Sequence, residues 1–252
     1  MTSHGVKQVN KTAGKVALVT GGAVRLGRAI SLELARAGYD VAINFHRSAG
    51  AARDTAAEVG ALGVRAASIR ADVAKPAEAR RLVAETVRRL GRLDLLVNNA
   101  GVFSRTPWNT VTPRDFDRFV AVNVKGAFFC SQAAALAMGS RGGRIINLAD
   151  VGAKRAWPGY IPYAISKAGV VMLTRGLAAA LAPRIQVNAV GPGAVLLPEG
   201  FPRETKKRIR AKIPMGRLGH PDDVAAAVRF FATCPDYITG QVLYVDGGAT
   251  AV

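Results

Sequence analysis

Lys15-Val16-Ala17-Leu18-Val19-Thr20-Gly21-Gly22-Ala23-Val24-Arg25-Leu26-Gly27 decides how this chain folds. An apolar run of strand length passes into a glycine-rich turn, and residues at helical spacing, Ile30 and Leu34 among them, follow it. Near-continuous hydrophobicity in so short a run marks a strand buried on both faces, as in a parallel sheet covered by helices. Glycines in the turn let the backbone bend tightly and approach a pyrophosphate, which the free N–H groups and positive dipole end of the next helix would hold. A turn of this kind also serves as a plain connection. Its place after the first strand of such a sheet favours a dinucleotide site, with Gly21, Arg25, Leu26 and Gly27 as candidate contacts.

The same alternation runs through the chain. Strand-length apolar runs stand at Asp40 to Phe45, Val64 to Arg70, Leu93 to Val97, Gly143 to Ala149, Ile185 to Val190 and Gln241 to Val245, with helix-period segments between them. The Ala-rich stretch from Ala168 to Ala182 stops before Pro183, where a helix is expected to end. The series predicts an α/β chain with a single-domain Rossmann fold: a doubly wound, mostly parallel seven-stranded sheet with helices on both faces. At 252 residues the chain fits one such domain. No repeat or low-complexity linker divides it. The expected organisation is a flexible polar tail over residues 1 to 13 and a domain over 14 to 252, with a substrate loop near 193 to 217.

The net charge of +18 invites a nucleic-acid reading. However, the basic residues are dispersed and no recognised nucleic-acid motif accompanies them, so a solvated basic surface is expected instead. One stretch is denser: Arg203, Lys206, Lys207, Arg208, Arg210, Lys212 and Arg217, opposed locally by Glu204, which either greets an anionic substrate or is merely a basic helix. Cys130 and Cys234 lie far apart, which argues against a disulfide scaffold and for a reducing, cytoplasmic compartment. His4, His46 and His220 lack metal-ligand spacing, and no metal is expected. No unbroken apolar run approaches the ~20 residues that span a bilayer, so no membrane partner is expected.

Preference between the two nicotinamide cofactors is readable after the second strand, where an acidic residue would bond an unphosphorylated ribose. Here stands Asn44-Phe45-His46-Arg47-Ser48. A guanidinium and a hydroxyl at that place would hold a 2′-phosphate, so His46, Arg47 and Ser48 point to NADPH.

Tyr163 and Lys167 are four residues apart, so a helix stacks phenol and ammonium one turn apart. A fixed ammonium favours the phenolate and would move its pKa down from about 10 toward the working range of a proton donor. Together with the Thr20-to-Gly27 turn, Asp72-Val73, Asn98-Asn99-Ala100-Gly101, Asn123 and Pro192-Gly193, this pair resembles the classical short-chain dehydrogenase/reductase family over residues 14 to 252. The resemblance implies a reductase, usually tetrameric, in which Tyr163 is the acid or base and Lys167 binds the nicotinamide ribose. It makes Asn123 the holder of a relay water and Asp72 the partner of the adenine amino group. It places Val73, Asn99, Ala100, Gly101, Pro192 and Gly193 along the cofactor.

Two departures narrow the resemblance. Arg25 stands where that turn usually has Gly, and Asp150, thirteen residues before Tyr163, stands where the family has Ser. Both look like the pteridine reductase branch, as does His46-Arg47-Ser48. Phe103 would match that branch's pterin-stacking aromatic, and Gly191 to Pro198 its substrate loop, whereas Gly101 departs from the Ser common there. The chemistry agrees: an ionised carboxylate would repel a developing alkoxide but accepts N–H donors from an amino-pyrimidine ring. Arg25, Phe103, Asp150 and Tyr163 are thus candidate substrate contacts. Each also has a plainer role, Asp150 as a cap, Arg25 as a surface ion pair and Phe103 as core. Trp157 and Tyr160 line the pocket mouth or pin a loop.

The leading expectation is NADPH-dependent reduction of a dihydropterin or related nitrogen heterocycle. The alternative is a 3-oxoacyl thioester reductase, for which Arg141 and Arg184 fall where carrier-dependent reductases have basic residues. A third class of reading, a non-catalytic NADPH-binding sensor or regulator, is opposed by the intact Tyr163, Lys167 and Asn123.

Overall fold

A computed structural model describes residues 12–155, 157–197, 200 and 202–252. Most of the expected tail, with His4, and Pro198 of the expected substrate loop lie outside the described residues. The seven apolar runs form seven strands: β1 (Val16–Val19), β2 (Asp40–Phe45), β3 (Ala66–Arg70), β4 (Leu95–Asn98), β5 (Gly143–Leu148), β6 (Ile185–Pro192) and β7 (Val242–Val245). All pair in parallel, in the order β3-β2-β1-β4-β5-β6-β7. The sheet grows outward from β1 to β3 and then returns to β4, so the direction of winding reverses between β1 and β4. Adjacent connections diverge there and leave a crevice at the carboxyl ends of the strands.

The side-chain alternation of β1 shows why both faces must be covered. Ala17 and Val19 enter one core with α1 (Arg25–Arg36), α2 (Ala49–Ala61) and α8 (Pro221–Thr233). Val16 and Leu18 enter the other with α3 (Pro76–Leu90), α5 (Gly126–Met138) and α6 (Ile161–Leu181). Each is fully buried, and burial of a Val or Leu side chain contributes about 1.5–3 kcal/mol. β6 runs two residues past the expected end because Gly191 and Pro192 pair with Tyr244 and Val245 of β7. Pro192, which has no N–H to donate, is tolerated there beyond the end of the β5 ladder.

α4 (Pro113–Phe119) starts from a capping box in which Thr112 and Asp115 bond each other's backbone N–H, and it continues through a π-helical segment, Val120–Lys125, into α5. A basic helix, α7 (Arg203–Ala211), starts after Pro202. Contrary to the expectation from unbroken runs, the helical stretches Pro113–Arg141 and Ile161–Leu181 are long and apolar enough by length and composition to cross a membrane. The polar groups that interrupt them, Asn123, Lys167 and Arg175 among them, hid this in the sequence. Both pack on the sheet in this fold.

Candidate active site

The carboxyl ends of the strands open into one cleft whose two halves are built differently. On the β1–α1 side the turn depends on glycine. Gly21 has φ of +59°, and a Cβ on Gly27 would lie 2.0 Å from the Gly21 carbonyl oxygen and 2.7 Å from Asn99 Nδ2. Asn99 Nδ2 donates to the carbonyls of Thr20 (2.9 Å) and Gly21 (3.0 Å). The Thr20 hydroxyl accepts the N–H groups of Asn99 and Ala100, each at 3.0 Å. Asn44, which the sequence reading did not single out, holds the turn from the other side: its Oδ1 accepts the Gly21 N–H at 3.1 Å and its Nδ2 donates to the Ala71 carbonyl at 3.1 Å. An amide inside an apolar strand run was the signal for it. The result is a cradle of backbone at the start of α1, the shape a pyrophosphate needs.

His46, Arg47 and Ser48 follow β2 at the rim of this half. Ser48 stands at the N-cap of α2 without capping it, and Arg47 has no ion-pair partner among the described residues. Asp72 follows β3, with Oδ1 accepting the Ala74 N–H at 3.1 Å. Val73, Gly101, Pro192 and Gly193 complete the wall. The cradle and the polar groups at its rim fit a dinucleotide.

The other half is aromatic and titratable. β5 delivers Asp150, and α6 carries Tyr163 and Lys167 to it, both side chains at 6% exposure or less. Asp150 Oδ1 accepts the Gly152 N–H at 2.6 Å and so caps the turn Val151–Ala153. The Tyr163 hydroxyl lies close enough to that carboxyl for each to shift the other's pKa. Capping and a place in the site therefore coexist. Lys167 Nζ donates to the Leu148 carbonyl at 2.7 Å and lies 5.9 Å from the Tyr163 ring centroid.

This corrects the expected electrostatics. Burial, then the nearby Asp150 carboxylate, hold the Tyr163 phenol well above its ordinary pKa rather than below it. Lys167 is itself moved down by burial, against the opposing pull of Asp150. Burial also raises the Asp150 carboxyl, outweighing the Gly152 hydrogen bond and the charge of Lys167. The phenol thus keeps the proton that a donor must hold, while burial and Asp150 work against its release.

Other expected residues stand in altered relations. Phe103 is half-exposed in the cleft, but one face is already stacked on Tyr160 (4.8 Å, 7°) and it meets Tyr163 edge-on at 4.8 Å. Trp157 packs edge-on against Tyr160 at 6.1 Å, so the two line the mouth and pin the loop at once. Arg25 has φ of +52°, explaining why glycine suits this position, and its Nη2 donates to the Leu196 carbonyl at 3.1 Å rather than to a surface acid. Asn123 sits in the π-helical segment, buried at 2% exposure. Arg141 and Arg184 precede β5 and β6, at the end of the sheet opposite the cleft, so within one chain they do not reach it.

Asp150→Asn tests the buried carboxyl. Because folding raises its pKa, the folded state is favoured while the carboxyl is protonated, and stability is lost as pH rises from the ordinary value near 4 through the raised one. The amide escapes that penalty. Thermal denaturation should give Asp150→Asn a higher Tm than the parent at pH 8 and a difference that shrinks toward pH 4. An equal Tm at both pH values would show the carboxylate to be adequately compensated.

Fold and site together define a nucleotide-dependent oxidoreductase. A family model described as enoyl-(acyl carrier protein) reductase matches residues 22–250. The chain is 39% identical over 239 residues to 3-oxoacyl-[acyl-carrier-protein] reductase FabG of Staphylococcus aureus, covering 93% of this chain and 97% of that protein. Among solved structures, a short-chain dehydrogenase/reductase from Serratia marcescens is similar at a TM-score of 0.89 and 38% identity, with 94% and 98% of the two chains covered. A blue fluorescent protein from a metagenomic library, in complex with NADPH, is similar at a TM-score of 0.88 and 38% identity, with 94% and 98% covered. The chain belongs to the classical short-chain dehydrogenase/reductase family.

Proposed function

We propose that this chain is an NADPH-dependent reductase of an activated carbonyl, with a 3-oxoacyl thioester as its substrate class. The observation that carries the reductase chemistry is the meeting of Tyr163, Lys167 and Asp150 in one cleft whose other half is a phosphate cradle. The cofactor supplies hydride; the chain supplies position and a proton. Gly21, Leu26 and Gly27 would admit the pyrophosphate, Arg47, Ser48 and His46 would hold the 2′-phosphate, and Asp72 and Val73 would hold the adenine. Asn99 to Gly101, Pro192 and Gly193 would hold the nicotinamide half. Lys167 orients the nicotinamide ribose, Tyr163 gives its proton to the nascent alkoxide, and Asn123 organises the wall behind them. Asp150, once protonated, adds a second hydrogen bond to that oxygen.

The thioester is favoured by the Staphylococcus relative and by α7, which turns Arg208 and Lys212, one turn apart, toward the cleft, where they suit the phosphate of a pantetheine arm. A second reading, reduction of a dihydropterin, rests on Asp150 as an acceptor for ring N–H groups. It is weakened by Phe103, whose stacking face is shared with Tyr160, and by Arg25, which is turned to Leu196. NADPH oxidation with acetoacetyl-coenzyme A, dihydrobiopterin and dihydrofolate, each offered separately, decides between them. Turnover of the thioester alone supports the first reading, and turnover of the pterins alone replaces it with the second.

Cofactor choice has its own test. Arg47→Ala removes a charge-assisted bond worth about 1.5–3 kcal/mol, so NADPH affinity measured by fluorescence titration should fall about 10- to 100-fold. NADH affinity should stay within about twofold. Equal loss for both would remove Arg47 from the 2′-phosphate site.

A homotetramer is part of the same proposal. Leu136 on α5 and Met172 on α6 are 80% and 64% exposed, and Phe230 on α8 and Leu243 on β7 are exposed as well. Two self-complementary faces built on these pairs would generate a closed assembly of four. The two buried, free cysteines suit the reducing cytoplasm.

A further inference from the structure

We infer that Ser166, which precedes Lys167 and faces away from the cleft, is a positioning residue for the substrate wall; the inference rests on the reductase reading. Ser166 is 1% exposed. Its hydroxyl donates to the Tyr163 carbonyl at 2.6 Å, which aims the remaining lone pairs of Oγ at Asn123, whose Nδ2 donates to it at 2.9 Å. The same Nδ2 donates to the Val102 carbonyl at 3.2 Å, and Asn123 Oδ1 accepts the Val102 N–H at 2.8 Å.

Ser166 therefore adds a third bond that holds the Asn123 amide the way round that Val102 requires. A flipped amide would set its N–H groups against the Val102 N–H and its oxygen against the Val102 carbonyl, losing both bonds. The orientation of Asn123 in turn clamps both backbone groups of Val102, and Val102 carries Phe103, the aromatic that meets Tyr163 edge-on. The neighbouring backbone is equally constrained: a Cβ on Gly101 would lie 3.3 Å from Asn123 Oδ1. A buried hydroxyl on the catalytic helix thus steadies the place of the substrate-facing aromatic, through an amide in the π-helical segment.

The test is a double-mutant cycle of Ser166→Ala and Asn123→Ala, read by NADPH oxidation and by amide hydrogen exchange at Val102. Ser166→Ala should raise KM for the carbonyl substrate about tenfold, the effect of one lost buried hydrogen bond, with kcat within about threefold and NADPH Kd unchanged. Val102 should exchange faster. In the Asn123→Ala background the same substitution should add nothing, because Ser166 acts through that amide. Ser166→Thr keeps the hydroxyl and should restore the KM. Additive losses in the double variant, an unchanged KM, or an unchanged Val102 exchange rate would overturn the assignment. A parent enzyme inactive on every carbonyl and pterin offered would defeat the reductase reading instead, and Val102 exchange would still decide the role of Ser166.

Discussion

Tyr163→Phe should lower NADPH oxidation by about a thousandfold while leaving NADPH affinity within about twofold. Loss of a positioned general acid costs about 10²- to 10⁴-fold, and the phenol is the group placed to give a proton. The ring itself is retained, so its edge contacts with Phe103 at 4.8 Å and Phe119 at 6.2 Å survive and the cleft keeps its shape. Removing the hydroxyl also takes a polar neighbour from the buried Asp150 carboxyl, at a cost of about 1 kcal/mol, which predicts a Tm lower by about 2–4 °C. Retention of more than a tenth of the activity would transfer the proton-donor role to Asp150.

Gly27→Ala should abolish detectable NADPH binding and lower Tm, because its new methyl group would lie 2.0 Å from the Gly21 carbonyl oxygen. No rotamer relieves a Cβ clash, so the turn must open and break the Asn99 bonds that close it. Overpacking of this kind costs about 1–3 kcal/mol or more. Gly60→Ala is the control. It places the same methyl group inside α2 with nothing within 4 Å, and exchange of a helical glycine for alanine should raise stability by about 0.5–1 kcal/mol. Isothermal titration with NADPH and thermal denaturation of both variants check the pair. Binding by Gly27→Ala at the parent affinity would show that the cofactor does not use this cradle.

The fold was legible because hydrophobic periodicity is a local property. Seven apolar runs became seven strands of four to eight residues, and the glycine turn after the first marked the crevice. Tyr163, Lys167 and Asp150 were legible as a group by resemblance, and the structure brings them together. The electrostatics were not. Sequence spacing sets the Tyr163–Lys167 separation, but the sign of the Tyr163 shift depends on how much water reaches the phenol and on a carboxylate from another element. Asn44, Ser166 and the reach of Arg25 were hidden for a related reason: their partners lie on other elements, and 171 residues separate Arg25 from Leu196. Arg141 and Arg184 show what a sequence match leaves open, since it does not say that they lie at the end of the sheet away from this chain's own cleft.

One side chain now spans the cleft. Arg25 arises from the nucleotide turn and ends on the Leu196 carbonyl of the loop across from it. A guanidinium carries five N–H donors in a rigid fork, and only Nη2 is spent on Leu196. The turn and the loop are thereby tied by one side chain, so a shift of either wall is passed to the other.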